Sequence, residues 1–196
     1  MMTFRTLTFA AALALGPLAA TAAPWTLDKS HAEIVFTIDH FGFSDVYGRF
    51  GAFDAEIDFD PEDIAATKAT FTIEATSIDT GFEARDEHIR KADFLNVEEF
   101  PQIVFTTTGV EQTGETTAVV TGDLTLHGVT KAVTFDATLN KIGASPLNPE
   151  QQVAGFTITG EIDRTEFGID TYAPAIGAVM PVTITFEMSP ATGDAS

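Results

Sequence analysis

The sequence contains no cysteine, which excludes disulfide bonds and thiolate chemistry. It is also poor in basic residues, because 10 Lys and Arg face 29 Asp and Glu, and the formal net charge is −19. A surface this acidic repels nucleic acid and anionic lipid head groups, so we expect no nucleic-acid partner. Trp and Tyr are scarce, with one and two copies, whereas Phe occurs 17 times. Phe supplies large apolar area with no polar group to satisfy, which is typical of a wall that faces hydrocarbon.

The first 22 residues have the pattern of a secretory signal peptide. Arg5 precedes an apolar run from Leu7 to Leu15, and Ala20-Thr21-Ala22 forms an A-x-A cleavage site. The run is shorter than the about 20 residues that a membrane-spanning helix needs. A retained N-terminal anchor is the alternative interpretation. Cleavage after Ala22 predicts a periplasmic or secreted protein whose single domain comprises residues 23–196.

Alternation of apolar and polar residues with a period of two predicts eight strands in the mature chain. Their apolar faces begin at Ile34, Phe53, Ala69, Ile103, Val120, Val133, Phe156 and Val182. Eight amphipathic antiparallel strands can bury one face in a sandwich or by closing, and closure also removes the exposed edges. The sequence therefore predicts an all-β protein, an eight-stranded antiparallel barrel. A barrel of this size either fills with side chains or holds one small ligand.

A helical insert interrupts the strands between Ser77 and Phe105. Thr80 and Glu83 fit a capping box, and Asp86 with Arg90 has the spacing of a helical ion pair. We expect Thr80–Phe94 to lie across one end of the barrel and to control access to it. Three apolar side chains of the insert would then face the interior, and Asp86 and Arg90 would face solvent or a ligand's polar end. The three are Phe82, Ile89 and Phe94.

The remaining polar residues form no recognisable reactive group. The four histidines, at positions 31, 40, 88 and 127, show neither the H-x-H nor the H-x-x-x-H spacing, so we expect no metal site. No nucleophile elbow, phosphate loop or paired-carboxylate motif is present, so we expect no catalysis and no cofactor. Arg49 and Arg164 lie next to strand ends, where they could bracket a pocket mouth or form salt bridges at the rim. Were the insert not a lid, the mouth would lie at the opposite end, near these two arginines.

Several motifs resemble those of the YceI-like family of exported, lipocalin-like polyisoprenoid-binding proteins. They span nearly the whole mature chain in order: WTLDKSH from Trp25, HFGFSDVYGRF from His40, SIDTG from Ser77, the residues from Arg85 to Phe94, Phe100-Pro101, GDLTLHGVT from Gly122 and RTEFG from Arg164. The segments 168–172 and 178–181 depart from the family pattern, which affects one barrel end. The resemblance implies a lipocalin-like barrel around an elongated apolar pocket that holds a long isoprenoid or a similar lipid.

The predicted ligand is a long-chain isoprenoid of quinone or polyprenyl type, or a similar amphiphile. The predicted ligand-binding residues are Phe36, Ile38, Phe50, Phe53, Phe71, Ile73, Phe82, Arg85, Ile89, Phe94, Phe105, Phe135, Phe156, Ile158, Ile184 and Phe186. From the pattern alone, a solid barrel filled by these Phe side chains is the favoured interpretation, since small barrels are commonly packed, and the family resemblance reverses that preference. A membrane or a membrane protein is considered as the lipid donor, and the protein as a monomer or homodimer. The alternatives to a carrier are an enzyme acting on an isoprenoid and a stress-related interaction module without a dedicated ligand.

Overall fold

The computed structural model describes residues 23–191, in which ten antiparallel strands and one short helix alternate with 3-10 turns. The strands are β1 Ala23–His40, β2 Ser44–Phe50, β3 Phe53–Phe59, β4 Lys68–Glu74, β5 Ile78–Asp79, β6 Gln102–Gln112, β7 Thr117–Leu126, β8 Val129–Ala144, β9 Gln152–Asp163 and β10 Val179–Pro190. The helix α1 is Glu83–Ile89, and the 3-10 turns are Ile64–Ala66, Ala75–Ser77 and Arg164–Phe167. Among residues 23–191, no helix is long and apolar enough to cross a membrane. The proposed signal peptide lies outside the described residues.

The sheet closes into the predicted eight-stranded barrel. Its strands follow the order β10-β9-β8-β7-β6-β4-β3-β1, and β1 pairs again with β10. Each of these strands contains one of the eight predicted alternating segments. The short strands β2 and β5 extend the sheet beside β1, and neither was predicted. Strand β2 was missed because Gly48 occupies one of its inward positions. The glycine interrupts the run of apolar residues by which a strand is predicted.

Strand β1 is much longer than predicted, because it begins at Ala23 and not near Ile34. Its first residues pair with β3, its last residues pair with β2, and β10 runs along its other edge. An irregularity between Asp28 and Ala32 breaks the pairing with β10. There the Asp28 carboxylate accepts hydrogen bonds from the Ser30 amide at 2.9 Å and from the Ser30 hydroxyl at 2.6 Å. This local turn explains why the period of two is lost before Ile34.

The connections define two ends of the barrel, here called the lid end and the far end. The lid end contains the β1–β2 turn, residues 75–101 with α1, the β7–β8 turn and residues 163–179. The far end contains residues 60–67, residues 113–116, residues 145–151 and both ends of the described chain. The buried core forms two clusters in the wall. Phe167 and Met188, each 1% exposed, are the largest fully buried side chains, and burial stabilises each by about 1.5–3 kcal/mol.

Candidate functional site

The barrel is hollow and encloses a cavity of about 610 Å³. The side chains that line it come from the barrel strands, from β2 and from the lid end. Most of the predicted ligand-binding residues line the cavity. They are Phe36, Ile38, Phe50, Phe71, Ile73, Arg85, Ile89, Phe94, Phe105, Phe135, Phe156, Ile158, Ile184 and Phe186. The choice between a hollow and a solid barrel, which the sequence left open, is therefore settled in favour of a hollow one. Lipid binding by these residues stays a prediction.

Two predicted residues do not line the cavity. Phe53 pairs with Ile73 in the β3–β4 ladder and packs against apolar side chains of the wall without reaching the lumen. Phe82 precedes the first turn of α1 in an extended conformation, and its side chain is 61% exposed. Its ring centroid lies 5.9 Å from Arg85 Cζ. The expectation that Phe82 faces the interior is therefore wrong.

Close contacts between phenylalanine rings and glycines hold the lumen open. Phe36 lies directly opposite Gly48 in the β1–β2 ladder, and a Cβ on Gly48 would come within 2.3 Å of the Phe36 ring. A Cβ on Gly160 would come within 2.5 Å of Phe135. The missing glycine side chains let these rings lie against the wall and not across the lumen.

The insert covers the lid end, as predicted, but different contacts hold it there. The side chains of Thr80, Arg85, His88, Ile89, Phe94 and Leu95 line the cavity. Thr80 is not the N-cap, because α1 starts at Glu83 with Phe82 as the N-cap. The Thr80 amide and hydroxyl instead donate to the carboxylate of Asp86, which is buried at 3% exposure.

The predicted ion pair between Asp86 and Arg90 is also wrong. Arg90 contacts Glu83 at 3.1 Å and donates to the carbonyls of Thr76 at 3.0 Å and Ile78 at 2.9 Å. Neither Asp86 nor Arg90 lines the cavity. Both side chains tie the helix to the segment before it, so their charges hold the insert in place.

Arg49 and Arg164 lie at the lid end, not at the opposite end. Arg49 forms a salt bridge with Asp79 at 2.8 Å and does not line the cavity. The pKa of Asp79 is lowered, first by the Gly81 amide that donates to it and then by Arg49. Arg164 is 3% exposed, lines the cavity and donates to the backbone carbonyls of Ile169, Ile176 and Gly177.

Sequence reasoning missed the lining residues that come from loops. Phe41 and Tyr172 line the cavity and are nevertheless 48% and 56% exposed, so they mark a mouth at the lid end. The Phe41 amide donates to the Ala175 carbonyl at 2.9 Å, and the Tyr172 ring lies 6.2 Å from that of Phe94. Loop residues carry no periodic signal, so the alternation of apolar and polar residues could not point to Phe41 or Tyr172.

Polar side chains line the cavity mainly near its two ends. At the far end they are Thr67, Thr107, Gln112, Glu115, Thr116 and Thr117, and at the lid end they are His40, Thr80, Arg85, His88, Arg164 and Tyr172. The residues between these ends are apolar, so the middle of the cavity suits a hydrocarbon chain.

One group of potential metal ligands, Asp28, His31 and Glu187, lies outside the cavity, with His31 and Glu187 exposed and Asp28 half-buried. His31 Nδ1 lies 2.8 Å from Asp28 Oδ2. Hydrogen bonds from Ser30 and then His31 lower the pKa of Asp28 to about 2, and Asp28 in turn raises the pKa of His31. This pairing accounts for the cluster without a metal ion, so the absence of a metal site stays a prediction.

The sequence is similar to known proteins over most of its length. A family model described as a YceI-like domain matches residues 25–188. A protein named YceI from Escherichia coli O157:H7 is 42% identical over 172 residues, which are 87% of this chain and 85% of the relative. A UPF0312 protein of Pseudomonas putida is 43% identical over 166 residues, 81% of this chain and 85% of the relative.

Solved structures show the same fold. The YceI protein of Campylobacter jejuni has a TM-score of 0.71 at 28% identity, over 79% of this chain and 90% of that one. BcnA of Burkholderia cenocepacia has a TM-score of 0.74 at 22% identity, over 85% and 99%. A polyisoprenoid-binding domain of Saccharophagus degradans, implicated in plant cell wall breakdown, has a TM-score of 0.65 at 14% identity, over 86% and 99%.

Proposed function

The chain belongs to the YceI-like family, and we propose that it is an exported carrier that binds a long-chain isoprenoid, of quinone or polyprenyl type, or a similar amphiphilic lipid. The observation that carries the proposal is the apolar cavity of about 610 Å³ with polar groups at its ends. The polyisoprenoid binding of the structurally similar Saccharophagus degradans domain supports this ligand class. Transport, storage and stress protection are all uses that such binding would serve.

The cavity is large enough for a substantial part of an isoprenoid tail. If a methylene group takes the volume that a water molecule has in the liquid, about 30 Å³, the cavity of about 610 Å³ holds roughly 20 such groups. That carbon count corresponds to about four isoprene units. Burial of each unit contributes about 3–4 kcal/mol before the costs of ordering the chain. A few units are therefore enough for stable capture.

We place the entrance for the lipid at the lid end. Phe41 and Tyr172 are both cavity-lining and exposed, and Phe94 packs against Tyr172 from the insert. A chain that is insoluble in water must come from a membrane or a membrane protein, so this end would face the donor. Export follows from the proposed signal peptide of residues 1–22 and is tested by the N-terminal sequence of the mature protein.

Binding without catalysis agrees best with the distribution of polar groups. An enzyme acting on the isoprenoid chain needs acid, base or nucleophile beside the reacting bond. The apolar middle of the lumen offers hydrocarbon contacts, and the polar side chains lie near the ends, where a head group would sit. We therefore retain the prediction that the protein is not an enzyme.

The proposal is tested by extracting lipid from protein purified from a quinone-producing bacterium, followed by mass spectrometry. We expect an isoprenoid or a long-chain amphiphile in the extract. Added lipid at 100-fold above its dissociation constant should stabilise the protein by about 2.7 kcal/mol. Extracts without lipid, together with no stabilisation by added quinone, would refute the carrier function.

A matched pair of substitutions on β8 tests whether the lipid binds inside the lumen. Ala137 lines the cavity, whereas Thr134 is exposed on the same strand. Ala137→Trp should fill the lumen and abolish lipid stabilisation, and Thr134→Trp should leave it unchanged. Equal stabilisation of both variants would place the lipid outside the barrel.

A further inference from the structure

The lid end has an apolar surface outside the cavity. Seven large apolar side chains are exposed among residues 23–191, and five of them belong to this end, namely Phe41, Phe43, Phe82, Tyr172 and Val179. Of the remaining two, Leu147 lies at the far end and Tyr47 lies on β2. Exposed apolar side chains that are scattered singly need no explanation, whereas a group of them at one end indicates an interaction surface.

Two neighbouring segments form the centre of this surface, here called the aromatic tip. They are residues 40–44 at the β1–β2 turn and residues 171–178 before β10. The Phe41 amide donates to the Ala175 carbonyl at 2.9 Å, and an isolated antiparallel bridge joins the same two segments. The aromatic side chains of both segments therefore belong to one surface.

The aromatic tip contains no Asp, Glu, Lys or Arg, although 20% of the chain is charged. Acidic residues flank it in the sequence, at Asp39, Asp45 and Asp170. Asp39 is used within the turn, where its carboxylate accepts a hydrogen bond from the Gly42 amide at 2.9 Å. An uncharged aromatic surface flanked by carboxylates suits a partner that is apolar and carries no net negative charge.

Phe43 is the most exposed aromatic side chain of the tip. Its side chain is 89% exposed and does not line the cavity, so packing within the protein does not account for its position. A protein partner would need a pocket shaped for this ring, whereas the interior of a bilayer accepts any apolar side chain that reaches it. Tyr172 combines an apolar ring with a hydroxyl, which is typical of side chains at the level of lipid head groups. Both features favour a lipid bilayer as the partner.

The aromatic tip is continuous with the mouth of the cavity. Phe41 and Tyr172 are part of the tip and also line the cavity, and the ring of Phe94 from the insert lies 6.2 Å from that of Tyr172. Contact between the tip and a bilayer therefore places the mouth at the membrane surface. A lipid tail can then pass from the bilayer into the lumen without exposing its methylene groups to water.

We propose that the aromatic tip docks the protein on a bilayer of zwitterionic lipid, with the ring of Phe43 below the head groups and those of Phe41 and Tyr172 at their level. This inference rests on the proposed function, because it names the partner with which the carrier exchanges its lipid. Docking itself is measurable with protein that holds no lipid. It is weak and reversible, since few side chains insert and the net charge of −19 opposes anionic lipid.

Insertion of the tip is tested by the fluorescence of Phe43→Trp with vesicles of phosphatidylcholine that is brominated in its acyl chains. Leu147→Trp is the matched control, because Leu147 is 97% exposed at the far end. The single native Trp, Trp25, is buried and common to both variants. We expect the bromine atoms to quench the new Trp in Phe43→Trp, and we expect the quenching of Leu147→Trp to equal that of the wild type.

Cosedimentation with unbrominated phosphatidylcholine vesicles measures the affinity for the bilayer. Phe43→Ser should weaken vesicle binding by at least about tenfold, because one Phe ring is no longer transferred out of water. It should also slow lipid transfer to vesicles. Its affinity for geranylgeraniol, titrated into delipidated protein, should be unchanged, since Phe43 does not line the cavity. Leu147→Ser should change none of these three quantities.

Three results would overturn the docking proposal. The first is equal quenching of Phe43→Trp and Leu147→Trp, or equal vesicle binding by the wild type and Phe43→Ser. The second is binding to bacterial membranes that proteolysis of those membranes abolishes, without binding to pure lipid vesicles, which would assign the tip to a membrane protein. The third is stronger binding when phosphatidylglycerol replaces half of the phosphatidylcholine, which would assign docking to basic side chains.

The same measurements separate docking from the carrier function. Uptake of geranylgeraniol by a wild type that does not bind vesicles would refute docking and leave the carrier function in place. Conversely, vesicle binding that depends on Phe43, in a protein that takes up no lipid, would refute the carrier function and leave the docking surface in place.

Discussion

Replacing Gly160 by alanine is expected to narrow the cavity while the barrel stays folded. The new Cβ would lie 2.5 Å from Phe135 Cδ1 and 3.0 Å from Phe135 Cε1. Carbon atoms in contact prefer about 3.5–4.0 Å, so the ring must withdraw by about 1 Å. Phe135 lines the cavity, and the lumen is the side on which the ring has space. The methyl group added to the wall therefore pushes the Phe135 ring into the lumen and reduces the cavity volume.

Two opposing effects set the change in stability of the Gly160→Ala variant, and the lost cavity volume sets the change in its lipid affinity. Overpacking in a solid core costs about 1–3 kcal/mol. Removal of a glycine from a strand interior returns about 0.5–1 kcal/mol, so we expect the net loss of unfolding free energy to be no more than about 2.5 kcal/mol. Loss of room for about one methylene group weakens lipid binding by about 0.8 kcal/mol, which is about fourfold.

Chemical denaturation measures the stability of the Gly160→Ala variant, and titration with geranylgeraniol measures its affinity. Gly109→Ala is the control, since nothing lies within 4 Å of the Cβ that it would add. Adding Phe135→Leu to Gly160→Ala should relieve the clash and restore affinity, which a double-mutant cycle detects. A stable Gly160→Ala variant with unchanged affinity, and no coupling to Phe135, would refute the reasoning.

Three further predictions concern the tail, the lid and pH. Affinity should rise with isoprenoid length to about four units and then level off, as measured with a series of polyprenols; a continued rise would mean that the tail leaves the cavity. Phe94→Asp should speed lipid transfer to vesicles, because Phe94 packs between His88 and Tyr172; an unchanged rate would show that the insert is not a lid. The contact of His31 with Asp28 should stabilise the fold between pH 3.8 and 6.5. It is lost as the pH rises through the raised pKa of His31 or falls through the lowered pKa of Asp28, and NMR should find the His31 pKa closer to 6.5 in Asp28→Asn.

The barrel was predictable because its strands have one apolar face over several residues. In β10, for example, Val182, Ile184 and Phe186 alternate with threonines, and all three line the cavity. Strand β2 escaped prediction because Gly48 occupies an inward position there. The same glycine makes room for Phe36. Small residues that keep a lumen open thus weaken the apolar pattern by which strands are recognised.

The side chains that fix the insert were not predictable from helical spacing. The interval between Asp86 and Arg90 suits a surface ion pair, which contributes only about 0.2–0.5 kcal/mol. The structure gives both residues partners in the segment before the helix, where the Asp86 carboxylate is buried. A hydrogen bond to a charged group contributes more to stability, about 1.5–3 kcal/mol. The contacts with the segment before the helix are therefore favoured over an ion pair between Asp86 and Arg90.

The position of Arg164 shows why a charged end of the cavity could not be read from the sequence. An arginine next to a strand end usually reaches into solvent, and the acidic residues on either side, Asp163 and Glu166, suggest a salt bridge at the rim. However, Asp163 accepts hydrogen bonds from Thr165, and Glu166 contacts Lys131 at 3.5 Å. Both carboxylates are thereby used on the outside, and the guanidinium turns inward to carbonyls that lie 5 to 13 residues further along the chain. Ile169 supplies one of these carbonyls and Ile176 and Gly177 supply the other two, so the loop between β9 and β10, which has no periodic pattern, holds the charge inside the barrel.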